Sequence, residues 1–231
     1  MVVARTYNLP PTDLVPNSNF PLIHYPGVLS GMNASPEKVH QLFARNGWET
    51  QWIFRYGKSQ VSHYHSKTHE CMAVLTGHAT IRFGVADTSD DLDESTYGKG
   101  YESGGIELQA RPGDVFIIPA GVSHKTFDAT DGGTIKLLTP GDGHGIQADD
   151  VGKALSEIEL SGFTMIGAYP KGGVWDFAVG GEAKGQYEQV WSVPKPPQDP
   201  VLGDSNEGLC RLWQDSPSKS AKVCPSERAK L

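Results

Sequence analysis

Apolar positions in the middle of the chain recur in short runs that alternate with polar positions, and Gly, Pro or Asp closes each run. The runs are rich in β-branched and aromatic residues, which favour strands over helices. Between residues 48 and 140 they read WETQWIFRYG, QVSHYH, CMAVLTGHATIRFGV, GIELQA, VFIIPAG and GTIKLLTP. Many short strands with helices only at the periphery predict an all-β sandwich or barrel.

Two segments have a helical pattern instead. In ASPEKVHQLFARNG, residues 34–47, Ser35 suits the N-cap, Pro36 the first helical position and Gly47 a left-handed stop. Three apolar residues of this segment recur at helical spacing, namely Val39, Leu42 and Phe43. A second short helix is predicted over residues 149–160, where apolar residues also share one side.

Proline and glycine punctuation divides the chain into three parts. Residues 1–47 are predicted to form an extended N-terminal arm and the first helix, residues 48–170 the barrel, and residues 171–231 a C-terminal arm and tail with few regular elements. The acidic run at residues 87–94 lacks the Gly and Glu spacing of a calcium-binding hand. It is predicted to be a solvated hairpin loop.

Composition and charge narrow the class of protein. The 231 residues carry 27 acidic and 20 basic side chains, a net charge of −7, which argues against a nucleic-acid partner. No apolar run approaches the ~20 residues of a membrane span, so no membrane partner is expected. Cys71, Cys210 and Cys224 are odd in number and lack metal-type spacing, which predicts reduced thiols in an intracellular, cytoplasmic or peroxisomal protein.

Residues 57–77, GKSQVSHYHSKTHECMAVLTG, place three histidines and a glutamate within positions 63–70. On a strand, alternate side chains share a face, so His63 and His65 point the same way and Tyr64 the other way. The four residues that follow are short enough to form a turn that brings Glu70 to the same place. Neutral imidazoles packed together need polar partners, which a metal ion supplies. The alternative is a set of polar groups satisfied on a barrel wall.

A second segment, GDVFIIPAGVSHKTFD at residues 113–128, adds another candidate, His124. Its Gly113, Pro119 and Gly121 precede that histidine at a regular spacing, with a short apolar run between the first two. Together the two segments resemble the two sequence motifs of the cupin superfamily.

The resemblance implies a jelly-roll barrel, or double-stranded β-helix, that binds one divalent transition metal ion. It implies that the ligands are His63, His65, Glu70 and His124. Asp128 departs from the second motif, which usually ends in Asn, and is expected to affect a turn or an outer contact rather than the ligand set.

The resemblance extends beyond these motifs. The segments ARNGW, HYHSKTHE, PAGVSHK, GAYPKG and DPVLGDSNEGLCRLW look like the YjlB-type cupins of bacteria and fungi, over about residues 14–213. Residues 139–161 are longer than the bacterial pattern and are expected to form a lid or an edge-covering helix.

Three imidazoles and one carboxylate suit Fe, Mn, Ni, Co or Zn and leave up to two positions open on a six-coordinate ion. The leading hypothesis is a metal-dependent, dioxygenase-like oxidoreductase that acts on a small organic molecule in the barrel, with Glu70 as a catalytic base. A metal-dependent isomerase or decarboxylase is the alternative enzyme, and a non-catalytic metal- or small-ligand-binding cupin is the alternative outside enzymes. Met72 and Phe116 either line the cavity or pack in the core.

The remaining histidines match no ligand position. His69 is expected in an outer or exposed position, and the other four are expected to be structural or exposed, namely His24, His40, His78 and His144. An uncovered strand edge is a liability in β proteins, so a homodimer that pairs edges is a reasonable expectation unless the arms cover them.

The final residues Ala229, Lys230 and Leu231 match a peroxisomal address, which a receptor reads from a free C-terminus. We expect a fluorescent fusion that leaves this C-terminus free to collect in peroxisomes, and a fusion without the last three residues to stay diffuse. Microscopy of the two fusions decides the matter, and a diffuse signal from both would reject the address.

Overall fold

A computed structural model describes residues 2–32 and 34–214 of the chain. Within these residues there are ten strands, namely β1 Arg5–Tyr7, β2 Leu22–Tyr25, β3 Trp48–Arg55, β4 Glu70–Thr76, β5 Ala79–Phe83, β6 Ile106–Ala110, β7 Val115–Ile118, β8 His124–Phe127, β9 Lys136–Leu137 and β10 Thr164–Pro170. Five short α-helices accompany them, namely α1 Pro36–Arg45, α2 Leu92–Tyr97, α3 Val151–Ser156, α4 Tyr187–Trp191 and α5 Leu209–Leu212.

The strands form two antiparallel sheets. The larger sheet has the order β1-β2-β7-β4-β10-β3-β9, and the smaller has the order β6-β5-β8. In the middle of the chain the strands cross repeatedly between the two sheets, as β4 and β5, β6 and β7, and β7 and β8 do, which is the arrangement of a jelly roll. The predicted all-β, jelly-roll fold class is confirmed.

Two glycines mark close approaches of the backbone. Gly77 joins β4 to β5 with a φ of +70°, and its α-carbon lies against the backbone of Gly162. Gly57 forms an isolated bridge with Gly133, whose carbonyl oxygen occupies the place of a side chain. Only glycine fits both positions, and the turn at Gly77 carries the chain from the larger sheet to the smaller one.

The interior between the sheets is filled by apolar side chains. Met72 and Phe116 are 1% and 0% exposed and belong to one buried cluster with Trp52, Ile81 and Phe83. These two side chains therefore pack in the core, which is the second of the two predicted roles.

Helix α1 covers the outer face of the larger sheet. It begins and ends within one residue or two of the predicted segment, and the Ser35 hydroxyl accepts a hydrogen bond from the Lys38 backbone N–H at 3.4 Å. Val39, Leu42 and Phe43 are buried against this face of the sheet, as their spacing predicts. The helix prediction is confirmed.

The structure differs from the predicted loop at residues 87–94 and from the predicted helix at residues 149–160. The acidic run does not remain a loop, because Asp91 caps a helix: its carboxylate accepts hydrogen bonds from the N–H groups of Asp93 and Glu94. Nor is the run wholly solvated, since Asp87 forms an ion pair with the buried Lys125 at 3.0 Å. Helix α3 covers only the middle of the predicted 149–160 segment.

The first 30 residues are more regular than an extended arm. Strand β1 pairs with β2, and β2 pairs with β7, so this part of the chain supplies two strands of the larger sheet. Cys71 and Cys210 are free thiols. Across the described residues the helices are too short and too polar to cross a membrane. Cys224 and the predicted address at Ala229–Leu231 lie outside the described residues.

Buried hydrogen bonds to Asp199 attach the C-terminal arm to the sheet. One carboxylate oxygen accepts from the Tyr25 hydroxyl at 2.6 Å and from the Leu209 N–H at 2.9 Å, and the other accepts from the N–H groups of Val201 and Leu202. Asp199 is fully buried. Because all four partners are donors, the site requires an acceptor on both oxygens.

We expect Asp199→Asn to lower the free energy of unfolding by about 2 kcal/mol, because the new NH₂ group faces donors and leaves buried N–H groups unpaired. Chemical denaturation measures this change. Asp204→Asn, an exposed position on the same arm, is the control and should change stability by less than about 0.5 kcal/mol. Equal stability of the two variants would contradict the assigned anchoring role.

Candidate metal centre

The structure brings the four predicted side chains together. His63 and His124 form an antiparallel bridge, in which the N–H of each donates to the carbonyl oxygen of the other at 3.1 and 2.8 Å. His65 lies two residues further along, and Glu70 is the first residue of β4. Ring nitrogens of His63, His65 and His124 all lie within 4.8 Å of one another, so this triad can hold a metal ion.

The local backbone differs from the predicted strand over residues 60–65. The structure has isolated bridges at His63 and Tyr64 there, with no continuous strand. The predicted alternation is nevertheless confirmed: the Tyr64 side chain lies in a separate buried cluster with Val15 and Val190, where its hydroxyl accepts from the Ala183 N–H. The two imidazoles therefore share a face without belonging to a sheet.

Glu70 lies at the centre of the polar cluster. Its Oε1 is 3.1 Å from His65 Nε2, and its Oε2 is 3.2 Å from His124 Nε2. His65, Glu70 and His124 are at most 4% exposed, and His63 is 8% exposed. A carboxylate at this depth requires positive charge or hydrogen-bond donors beside it.

Backbone carbonyl groups set the tautomers of all three imidazoles. The Nδ1 atoms of His63, His65 and His124 face the carbonyl oxygens of Val61, Asp176 and Val122, respectively. A carbonyl oxygen only accepts, so each Nδ1 carries a proton and donates it. Each neutral ring consequently presents the lone pair of its Nε2 to the interior, the usual arrangement of a metal-binding histidine.

The donor atoms around Glu70 fit a cation. With Nδ1 protonated, the neutral His124 Nε2 and Glu70 Oε2 are two acceptors that face each other, and Oε2 has no hydrogen-bond partner among the described residues. Two facing acceptors repel unless a positive ion lies between or beside them. A divalent transition metal satisfies this geometry, because imidazole nitrogen and carboxylate oxygen are its common ligands.

The charges of the metal-free site follow from burial and from the pairing with Glu70. Burial lowers the pKa of His124, and it lowers the pKa of His63 well below its usual range with help from the neighbouring imidazoles. Burial also acts downward on His65, but the Glu70 charge and hydrogen bond outweigh it and raise the His65 pKa. Burial acts upward on Glu70, yet His65 and His124 lower its pKa to about 2. Without metal, His65 therefore holds a proton more readily than His63 or His124.

Tyr169 belongs to the site and was not predicted. Its hydroxyl donates to Glu70 Oε1 at 2.5 Å and accepts from Trp52 Nε1 at 2.9 Å. Burial, followed by the Glu70 charge, raises the Tyr169 pKa well above its usual range, so the phenol stays protonated. The only sequence signal was its presence in GAYPKG, one of the segments shared with the YjlB-type pattern.

Residues 171–178, the covering segment, close the site from outside. Phe177 stacks on His63 with ring centroids 4.0 Å apart, and Trp175 packs edge-on against His65 at 5.6 Å. Asp176 holds the segment in place, because its carboxylate accepts from the N–H and hydroxyl of Ser66 while its carbonyl oxygen accepts from His65 Nδ1. Sequence reasoning missed these contacts because the segment is distant in the chain.

The predicted lid at residues 139–161 contacts this cover rather than the polar cluster itself. The Trp175 indole N–H donates to the Gly143 carbonyl oxygen at 2.9 Å, and the Trp175 ring stacks on His144 at 4.1 Å. This longer segment therefore supports the covering segment from one side.

The other histidines lie outside the cluster. His69 is buried: its Nδ1 accepts from the Ala120 N–H at 2.9 Å, its ring packs against Trp213, and burial lowers its pKa to about 4. It thus supports the turn that precedes His124, the outer position predicted for it. His78 and His144 are exposed, His40 is half-buried, and His24 is buried beside Asp114.

Asp128 fills a turn position, as its departure from the motif suggested. Its φ of +52° is left-handed, a conformation that Asp and Asn tolerate better than most residues. Its carboxylate accepts a hydrogen bond from the exposed Tyr97 hydroxyl at 2.8 Å. The contact is remote from the four polar side chains, so Asp in place of Asn does not alter the cluster.

Comparison with known proteins gives one relative of similar length. No family model matches the chain. The chain is 27% identical over 215 residues to the uncharacterized protein YjlB of Bacillus subtilis (strain 168), covering 90% of this chain and 96% of that protein.

Solved structures match only distantly. A mutant of the Bacillus subtilis oxalate decarboxylase OxdC is 10% identical with a TM-score of 0.32, covering 73% of this chain and 30% of that chain. RmlC from Streptococcus suis in complex with dTDP-D-xylose is 11% identical with a TM-score of 0.32, covering 74% and 70%. The chain spans 27% of the Lactobacillus farciminis oxalate decarboxylase chain and 31% of the Solanum melongena vicilin chain. Similarities this low add nothing to the assignment.

The two-sheet jelly roll, with the histidines of both motifs brought together, is the arrangement of a cupin. The similarity to YjlB along nearly the whole length of that protein supports a cupin of the YjlB type.

The protonation of the cluster predicts how metal binding depends on pH. Metal must displace the proton on His65, whose pKa is raised, but none from His63, His124 or Glu70, whose pKa values are lowered. We therefore expect the apparent affinity to fall as pH decreases from 8 to 5, by about tenfold per unit once His65 is protonated, a slope of about one proton.

Competition with a coloured chelator across this pH range measures the slope. A slope near three would mean that all three imidazoles are protonated in the free site and would contradict the lowered pKa values of His63 and His124. Metal content unchanged between pH 8 and pH 5 would contradict histidine ligation altogether.

Proposed function

We propose that the protein is a mononuclear metal-dependent enzyme of the oxidoreductase class, dioxygenase-like, that acts on a small organic molecule. The proposed ligands are His63, His65, Glu70 and His124, and the proposed cofactor is one divalent ion of Fe, Mn, Ni, Co or Zn. The observation that carries the proposal is the set of inward-facing Nε2 lone pairs around a carboxylate with an unpartnered oxygen.

The ligand count leaves room for substrate. Four protein ligands occupy at most four of the six positions that these ions commonly use. When bound, the ion supplies Lewis-acid polarisation of a substrate oxygen or, if it is redox-active, a path for electrons between substrate and O₂.

Glu70, which is itself a proposed ligand, and Tyr169 beside it are the groups that can accept or donate a proton in the site. Glu70 stays ionised because its pKa is about 2, and Tyr169 stays protonated because burial and the Glu70 charge raise its pKa. In the proposed reaction Glu70 would accept a proton from the substrate. Tyr169, fixed by the Trp52 N–H, positions the carboxylate through the 2.5 Å hydrogen bond.

Entry of substrate requires the covering segment to move. His63 is the most accessible of the four side chains and is still only 8% exposed, beneath the ring of Phe177. Phe177 is itself 51% exposed, so little burial is lost when its ring swings away. The Ser66 to Asp176 hydrogen bonds are the stronger restraint on opening.

A metal-dependent isomerase or decarboxylase is a second candidate, and the Tyr169 to Glu70 contact favours it. A protonated phenol and a carboxylate in contact can pass a proton without any redox step. A non-catalytic cupin that binds metal or a small ligand is the third candidate, favoured by the near-complete burial of the cluster. Homodimer formation and a peroxisomal location are part of the same proposal and rest on the sequence alone.

Metal analysis of protein purified without chelators, followed by oxygen-consumption screening with phenols, diketones and organic acids, tests the proposal. We expect about one metal ion per chain, and loss of that ion in His65→Ala with the barrel still folded, because removal of one ligand weakens the rest. His78→Ala, an exposed histidine outside the cluster, is the matched control and should retain the metal.

Once a substrate is found, Tyr169→Phe separates catalysis from binding. We expect it to keep the metal and to lower kcat by about tenfold to a hundredfold, because Glu70 loses its positioning hydrogen bond. Stoichiometric metal in His65→Ala would reject the site. Turnover that does not consume O₂ would reject the dioxygenase hypothesis in favour of the isomerase or decarboxylase.

A further inference from the structure

Two of the proposed ligand histidines end the same tripeptide, Val-Ser-His, in two distant parts of the chain. The tripeptide occupies residues 61–63 and again residues 122–124. In both copies the histidine Nδ1 faces the carbonyl oxygen of the valine two residues earlier. The middle residues, Ser62 and Ser123, therefore hold equivalent places beside the two imidazoles.

Both serine hydroxyls donate to one atom, the carbonyl oxygen of Val85. The distances to that oxygen are 2.7 Å from Ser62 Oγ and 2.9 Å from Ser123 Oγ. All three residues are at most 4% exposed. A carbonyl oxygen has two lone pairs, so it can accept both hydrogen bonds at once. The residues that precede the two histidines are thus joined through a single buried atom.

A second link between the same two segments lies two residues further along, at Asp87. Its carboxylate accepts from the Ser62 backbone N–H at 2.9 Å and from Lys125 Nζ at 3.0 and 3.1 Å. Lys125 follows His124 on β8, where successive side chains point to opposite faces. The ammonium group therefore lies behind the imidazole, and Asp87 joins the two segments from that side.

The burial of Lys125 suggests a role in geometry rather than in stability. Its side chain is 0% exposed and also donates to Ser95 Oγ at 3.0 Å, and the Asp87 side chain is 11% exposed. A buried ion pair often adds no net stability relative to apolar side chains of similar volume. Its charge-assisted hydrogen bonds are directional, however, so they fix the positions of the groups that they join.

We propose that residues 85–87 act as a clamp that sets the separation of the His63 and His124 rings, 4.3 Å between centroids, and thereby the geometry of a bound ion. Ser62 and Lys125 hold the clamp as positioning residues, together with the second serine, and none of the three is itself a proposed ligand. The clamp rests on the proposed function, because it acts on the same metal ligands. It applies to any reaction at the metal, and to a metal site without catalysis.

Titration of the metal-free, full-length protein with Co²⁺ tests the clamp, because the d–d absorption bands of the bound ion report its ligand geometry as well as its affinity. Ser62→Ala and Ser123→Ala should each weaken Co²⁺ binding by about tenfold, since substitutions behind metal ligands commonly have effects of this size. Both should also shift the absorption bands, because either change breaks the link through the Val85 oxygen.

Thr164→Val is the matched control for loss of a buried hydroxyl. The Thr164 side chain is fully buried, and its hydroxyl donates to the Ser161 carbonyl oxygen at 2.8 Å. Thr164 pairs with Thr76, at the opposite end of β4 from Glu70. We expect Thr164→Val to lower the melting temperature as the serine variants do, and to leave Co²⁺ affinity and the absorption bands unchanged.

The double serine variant gives a sharper signature. Because both hydroxyls act through one shared oxygen, loss of the second has little further effect once the first is gone. Ser62→Ala combined with Ser123→Ala should therefore bind Co²⁺ about tenfold more weakly than the wild type, as each single variant does, whereas independent supports would multiply to about a hundredfold.

The second link is tested by Asp87→Asn combined with Lys125→Met. The pair of substitutions removes both charges together, so no buried charge is left unpaired and the fold should persist. The asparagine oxygen can still accept from the Ser62 N–H, but the connection to β8 is lost. We expect Co²⁺ binding to weaken by about tenfold, again with shifted bands.

Failure of the clamp and failure of the metal site give different results. Wild-type affinity and bands in the serine variants and in the double charge variant would overturn the clamp and leave the ligand assignment intact. So would an equal loss of affinity in Thr164→Val, which would indicate general destabilisation, or a multiplied loss in the double serine variant. A wild-type chain that binds no Co²⁺ would reject the ligand assignment and the clamp with it.

Discussion

The reciprocal backbone hydrogen bonds between His63 and His124 are the contact on which the site depends. They join two segments about 60 residues apart in the chain and place the two imidazole rings 4.3 Å apart. His65 and Glu70 lie near that bridge because each is only a few residues beyond His63 in the chain. Without it, the donor atoms would remain on separate loops, and no cation could be shared among them.

Electrostatics makes this arrangement costly in the absence of an ion. A buried carboxylate is paired with His65, whose pKa it raises, and with the Tyr169 hydroxyl, while His63 and His124 direct Nε2 atoms inward. A buried charge with incomplete pairing lowers stability by several kcal/mol, on the order expected for such sites. Binding a divalent ion would therefore stabilise the fold as well as prepare the chemistry, since ligand binding to the native state adds directly to stability.

The C-terminal half of the chain completes what the barrel begins. Strand β10 supplies Tyr169, the covering segment supplies Asp176 and Phe177, and the later arm is anchored through Asp199 to Tyr25 on β2. The covering segment thus lies between two firmly attached parts of the chain. Its own contacts with Ser66 and His65 are few and polar, so it is the part of the site best able to open without disturbing the barrel.

Local rules of strand alternation and helix capping were enough to predict from the sequence an all-β fold and helix α1. The resemblance of two motifs to those of cupins implied the jelly roll and the four side chains that the structure brings together. The sequence did not determine the helix at residues 92–97, where the cap formed by Asp91 outweighed the solvated-loop pattern. Nor did it reveal Tyr169 or Phe177. The roles of these residues depend on which distant segments pack together, and only the tertiary structure decided which segments do so. The physical reason is that a contact between residues far apart in the chain produces no periodic pattern in the sequence around either residue.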